Sequence, residues 1–155
     1  MCVYLDTNFF IGLVEGDAAQ RDAAHRVVEN AGGGRATLVT SELTLGEVLV
    51  EPYRLAAVDP HASAALLDVY GDVVSEPFVH ALIPIDRDIL QSAAQRRAAR
   101  PALQFLDAIH LATAEAARCT ILLSSDQRIL TAEQQGLERI EVSADGLSAF
   151  AERLA

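Results

Sequence analysis

Four acidic residues, Asp6, Glu47, Asp107 and Asp126, stand at or near the ends of predicted elements. At such positions a carboxylate can cap a helix, or it can join others as a cluster of hard oxygen donors. Asp6 directly follows the apolar run Val3-Tyr4-Leu5, and Asp126 follows Ile121-Leu122-Leu123-Ser124-Ser125. Both therefore leave strands at the carboxyl end, where open parallel sheets bind their ligands. Glu47 falls inside one predicted helix and Asp107 at the start of another, both opening from the same sheet edge. Four acids from four segments could share one cleft. Taken singly, each has an ordinary structural reading. Asp6 or Asn8 could cap the first helix, Asp107 and Asp126 could cap the helices they precede, and Glu47 could complete a capping box with Thr44. Capping does not predict that the carboxylates gather at matched ends of the elements, so the joint pattern favours a site.

The elements that must position these acids follow from periodicity and punctuation. Strands are predicted over 3–5, 36–39, 80–85 and 120–123, with a short edge strand over 140–142. Helices are predicted over 9–14, 17–30, 41–49 (with Thr40 or Ser41 as N-cap), 60–70, 86–99, 104–118, 125–136 and 144–154. Pro52, Pro60 and Pro101 read as breaks, and Pro84 as the end of its strand. Gly32-Gly33-Gly34 reads as a loop after a helix, because a phosphate-cradling glycine loop follows a strand and opens a helix. Strands alternating with helices predict an α/β fold of three layers, α/β/α, around a parallel sheet of about four to five strands.

Composition narrows the function classes. A chain of 155 residues, 51% hydrophobic, matches one domain spanning residues 1–155. No apolar run is long enough for a membrane span, and no secretory leader pattern opens the chain, which makes the cytoplasm the expected location. Cys2 and Cys119 each open an apolar run and read as small buried hydrophobes; with no CxxC, a redox pair is disfavoured. All twelve basic residues are Arg. Without Lys, a P-loop, a response-regulator receiver and a haloacid-dehalogenase-type phosphatase all fit poorly. The net charge of −10 argues against broad electrostatic capture of nucleic acid, although cations bound in an acidic cleft would reverse the charge locally.

Leu5-Asp6-Thr7-Asn8, Ser41-Glu42-Leu43-Thr44-Leu45-Gly46-Glu47, Leu106-Asp107-Ala108-Ile109-His110-Leu111-Ala112-Thr113-Ala114 and Ser124-Ser125-Asp126 together resemble the PIN-domain nucleases, in particular the VapC-type toxins. The resemblance runs through essentially the whole chain in the family's order. The third motif is the most specific, and the fourth departs in having Ser125 where many relatives have Thr or Asn. The resemblance implies a metal-dependent endoribonuclease in which Asp6, Glu47, Asp107 and Asp126 hold one or two Mg2+ or Mn2+ ions. It implies that Thr7, Asn8 and Ser125 support the ligands or a bound water, and that cleavage leaves 5′-phosphate and 3′-hydroxyl ends. It also implies a homodimer held inactive by a cognate antitoxin protein, whose tail enters the acidic cleft. Two rival readings keep the acids but change their use: a non-catalytic PIN-like module that binds RNA or protein, and a metal-dependent phosphatase.

Other residues carry less. His110 lies three residues after Asp107, on the same helical face, and reads first as a packing side chain and second as a partner of the acids. Arg96, Arg97 and Arg100 form a basic cluster that could touch RNA phosphates or simply solvate a helix. The aromatic residues are too scattered for a base-stacking platform.

Overall fold

The computed structural model of the chain describes residues 1–132 and 135–155. Among them run the strands β1 (Cys2–Leu5), β2 (Thr37–Ser41), β3 (Ala81–Ile83), β4 (Ile121–Ser124) and β5 (Glu138–Glu141). All pair in parallel in the order β3-β2-β1-β4-β5. The helices are α1 (Thr7–Glu15), α2 (Ala18–Ala31), α3 (Glu42–Val48), α4 (Val50–Leu55), α5 (Pro60–Val73), α6 (Arg87–Ala99), α7 (Phe105–Ala116), α8 (Gln127–Leu130) and α9 (Ala144–Leu154).

Side chains alternate across a strand, and here both faces are covered, which is why the strands read as nearly unbroken apolar runs. Val3, Leu5, Leu38, Ile121 and Leu123 pack on one face against Phe9, Phe10, Tyr70, Leu147 and Phe150. Tyr4, Val39 and Leu122 pack on the other against Ile89, Ile109, Leu111 and Ile129. Helix α2 lies against α9 on the first side and α6 against α7 on the second. This is the expected three-layer α/β/α arrangement. The chain runs outward from β1 to β2 and β3, then returns to β4 on the other side of β1, so the strand order reverses between β1 and β4. A crevice opens at the carboxyl ends of such a pair.

Several boundaries differ from the sequence reading, each for a local reason. Helix α1 begins at Thr7 rather than residue 9, because Asp6 is itself the N-cap. Pro52 does not break the chain's helical course. It is the third residue of α4, where the backbone N–H has no intrahelical partner to lose. Pro60 opens α5 behind the Asp59 cap, and α5 continues to Val73. The helix expected over 125–136 closes after one turn at Leu130; residues 133 and 134 of that expectation lie outside the described residues. Gly33 and Gly34, read as loop residues, take φ of 71° and 82°, a left-handed backbone that favours glycine. Among the described residues, no helix is long and apolar enough to cross a membrane.

Candidate metal centre

Asp6 leaves β1 as the N-cap of α1 and is 2% exposed. Its Oδ1 accepts the Thr7 backbone N–H at 2.7 Å. Its Oδ2 accepts the Ser124 hydroxyl at 2.5 Å and the Asn8 side-chain amide at 3.1 Å. The carboxylate is thus fixed by the two strands that flank the crevice. Glu47, near the end of α3, accepts from the Thr7 hydroxyl and, at 2.9 Å, from His110 Nε2, which also stands 3.2 Å from Asp6 Oδ1. The other ring nitrogen, Nδ1, lies 2.8 Å from the Tyr4 hydroxyl, and Tyr4 donates its own proton to Ser41 at 2.9 Å. With Nε2 set between the Glu47 and Asp6 carboxylates, the surroundings of His110 favour the protonated ring. Burial pushes the His110 pKa down, but the Asp6 charge and the Glu47 contact outweigh it and hold the pKa above the usual histidine value. Burial likewise raises the Glu47 pKa, and the His110 and Thr7 hydrogen bonds more than offset it, holding the carboxyl below its ordinary value.

The other two acids surround a second cation. Asp107 is the third residue of α7, and its Oδ2 accepts the Gln104 backbone N–H at 3.1 Å as half of a capping box. Asp126 caps α8. Arg128 bridges them, with Nε 3.1 Å from Asp107 Oδ2 and Nη2 2.6 Å from Asp126 Oδ2. The Arg128 hydrogen bond lowers the Asp126 pKa. Burial raises that of Asp107, with the charges of Asp126 and Asp6 adding to the rise. Four acids in one cleft without metal would be expected to repel one another and titrate high. Asp107 follows that expectation, while Glu47 and Asp126 are shifted the other way by His110 and Arg128 beside them.

All four sequence-predicted acids line one cleft of about 230 Å3, with Thr7 and Asn8 beside them. Asp6 and Asp126 are N-caps and Asp107 takes part in a capping box behind Gln104, whereas the Glu47 carboxylate engages Thr7 and His110 rather than Thr44. Ser125, expected to support the ligands, is exposed; the serine that holds Asp6 is Ser124. Neighbouring strand residues point to opposite faces, so a one-position difference decides which hydroxyl reaches the cleft. Arg96, Arg97 and Arg100 do not line it. Arg96 pairs with Glu115, Arg97 donates to the Arg100 carbonyl at 3.5 Å, and Arg96 and Arg100 border a separate hollow beside Leu103 and Leu111. The arginine in the cleft is Arg128, whose only sequence signal was its place two residues after Asp126. His110 is buried as a packing residue would be, and it also joins the acids.

The donor set suits a hard divalent cation. Asp6 and Glu47 present carboxylate oxygens within 4.8 Å of each other, and Asp107 and Asp126 face the same open cleft. A cluster dominated by carboxylate oxygens, with space for retained water, fits Mg2+ or Mn2+ better than a soft metal. The hydrogen-bonded chain behind it is buried: Tyr4 is fully enclosed. Tyr4→Phe is expected to cost about 1–3 kcal/mol by leaving the buried His110 Nδ1 without its Tyr4 hydrogen-bond partner, read as a lower urea midpoint with an unchanged slope.

The PIN domain family matches residues 3–134, a span that contains all four acids. No curated protein matches the chain. Among solved structures, the chain resembles VapBC2 from Rickettsia felis bound to a DNA fragment from its promoter, at TM-score 0.65 and 14% identity over 91% of this chain and 98% of that one. It resembles Mycobacterium tuberculosis VapC20, described as a Sarcin-Ricin loop cleaving toxin, at TM-score 0.58 and 17% identity over 77% and 86% of the two chains. A toxin-antitoxin complex from Klebsiella pneumoniae matches at TM-score 0.57 and 24% identity over 87% and 94%. At these identities the structural likenesses speak for the fold, and the match in sequence speaks for the family: the chain belongs to the PIN domain family.

Proposed function

We propose that the protein is a Mg2+- or Mn2+-dependent endoribonuclease, one PIN-like domain acting as the toxin of a toxin-antitoxin pair, with RNA as substrate and an antitoxin protein as partner. The observation that carries this reading is the meeting of Asp6, Glu47, Asp107 and Asp126, from four separate segments, in one cleft at the β1/β4 switch point. The names of the similar structures support the toxin part, since two are VapBC2 and a toxin-antitoxin complex and one is a Sarcin-Ricin loop cleaving toxin.

A bound divalent cation supplies a water of lowered pKa and positive charge for a departing oxygen, the usual logic of metal-assisted phosphodiester hydrolysis. The chain supplies the positioning. Ser124, Asn8 and the Thr7 N–H hold Asp6 in one orientation, and the Thr7 hydroxyl and His110 hold Glu47. Arg128 pairs with both Asp107 and Asp126. Its planar guanidinium, once exchanged off those carboxylates, is shaped to take two oxygens of a phosphate. Arg128→Gln is therefore expected to tighten Mn2+ binding several-fold in calorimetry and to weaken binding of RNA to the protein. Looser Mn2+ binding in that variant would contradict the competition.

The test uses partner-free protein with a panel of cellular RNAs and, in parallel, a generic phosphomonoester, each with Mn2+, Mg2+ or chelator. Metal-dependent RNA cleavage without phosphomonoester turnover is the expected result. Phosphomonoester turnover alone would make the protein a phosphatase, and neither activity in folded protein would favour a binding module.

A further inference from the structure

We propose that Cys2 and Cys119 form a modification site: a dithiol that hydroperoxides oxidise to a disulfide joining β1 to β4. The sequence reading set these two thiols aside as separate buried hydrophobes, and the register of the central strands brings them together. Val3 pairs with Ile121, and the Thr120 N–H donates to the Cys2 carbonyl at 3.0 Å, so the two cysteines sit at the amino ends of neighbouring strands. Their sulfurs are 2.6 Å apart although the residues are 117 positions apart in the chain. That separation lies inside ordinary non-bonded sulfur contact and slightly beyond a covalent S–S bond of about 2.05 Å. It also excludes a shared metal, because two thiolates each about 2.3 Å from a tetrahedral zinc stand more than about 3.5 Å from each other. A small closing movement is all the bond needs.

The two thiols differ in a way that sets the order of events. Cys119 is buried, and burial together with the Cys2 contact pushes its thiol well above the ordinary range. Cys2 is the partly exposed one and is the sulfur an oxidant reaches. With hydrogen peroxide, the Cys2 sulfur attacks one peroxide oxygen; an S–O bond forms, the O–O bond breaks, and water leaves. The Cys119 sulfur then attacks the Cys2 sulfenic acid; the S–S bond forms, the S–O bond breaks, and the Cys119 proton departs with the hydroxide as a second water. Two thiols and one peroxide give one disulfide and two waters. The disulfide lies at the amino ends of the strands and the acids at the carboxyl ends, so this proposal stands apart from the nuclease reading.

The experiment treats the folded protein with stoichiometric hydrogen peroxide, alkylates it under denaturing conditions, and measures intact mass, a peptide map and the melting temperature. The expected result is loss of two hydrogens and of both alkylation sites, a Cys2–Cys119 linked peptide, and a melting temperature higher by roughly 5–10 °C that dithiothreitol reverses. In Cys2→Ser, Cys119 is expected to stay alkylatable after the same treatment. Two intact thiols in the wild type, a disulfide between chains, or Cys2 carried to sulfinic acid with Cys119 untouched would each overturn the proposal. Equal peroxide oxidation of Cys119 in Cys2→Ser would overturn it as well.

Discussion

Asp6→Asn is expected to lower metal-dependent RNA cleavage by at least about a hundredfold while leaving the fold in place. Replacing even a supporting residue of a metal site typically costs 10- to 100-fold in affinity or activity, and a carboxylate at the centre of the cluster should cost no less. The fold should survive because asparagine caps a helix about as well as aspartate does. Its Oδ1 can still accept the Thr7 N–H, and its amide can donate to the Ser124 hydroxyl where Asp6 now accepts. His110 would keep Glu47 as a partner. The measurement is the cleavage rate in Mn2+ alongside a thermal melt. A variant that melts like wild type and cleaves at a similar rate would remove Asp6 from the chemistry.

The second large effect belongs to the scaffold. Leu5→Ala is expected to cost about 2–5 kcal/mol, a large share of the roughly 5–15 kcal/mol that keeps a domain folded. Leu5 is fully buried in the face shared with Phe9, Phe10 and Leu123, so truncation leaves a cavity in rigid surroundings. Its carbonyl also accepts the Thr40 hydroxyl at 2.7 Å, which ties β1 to β2 one residue before Asp6. For a chain of this size the melting temperature should fall by roughly 4–20 °C. A fall of less than about 2 °C would mean that this face of the sheet repacks freely.

The α/β alternation and the three layers could be read from the sequence because strands covered on both faces must be apolar throughout, while helices here are punctuated by Asp17, Asp59, Asp86 and Ser143 at their N-caps. The gathering of Asp6 and Asp126 was legible for the same reason: one directly follows β1, the other comes two residues after β4, and parallel strands end on one side. What the sequence could not show is whatever depends on register or on the reach of a long side chain. Arg128 turns back onto Asp107 and Asp126 only because α8 is a single turn capped by Asp126. His110 meets Glu47 because Tyr4 and Ser41, on neighbouring strands, hold its far nitrogen. The choice of Ser124 over Ser125 is a matter of strand phase, and the approach of Cys2 to Cys119 a matter of β1/β4 register. Arg96, Arg97 and Arg100 looked close to Asp107 along the chain, yet the turn after α6 leaves them outside the cleft.

On the proposed reading, the acidic cleft holds the divalent cation through which RNA is cut. The most direct test is a Mn2+ titration of the partner-free protein by electron paramagnetic resonance, with RNA cleavage followed in the same samples. Wild type is expected to bind Mn2+ and to cleave RNA as the ion is taken up, chelator to remove both, and Asp6→Asn to do neither. A folded wild-type protein that leaves Mn2+ free in solution, or that cleaves equally well in chelator, would contradict that reading.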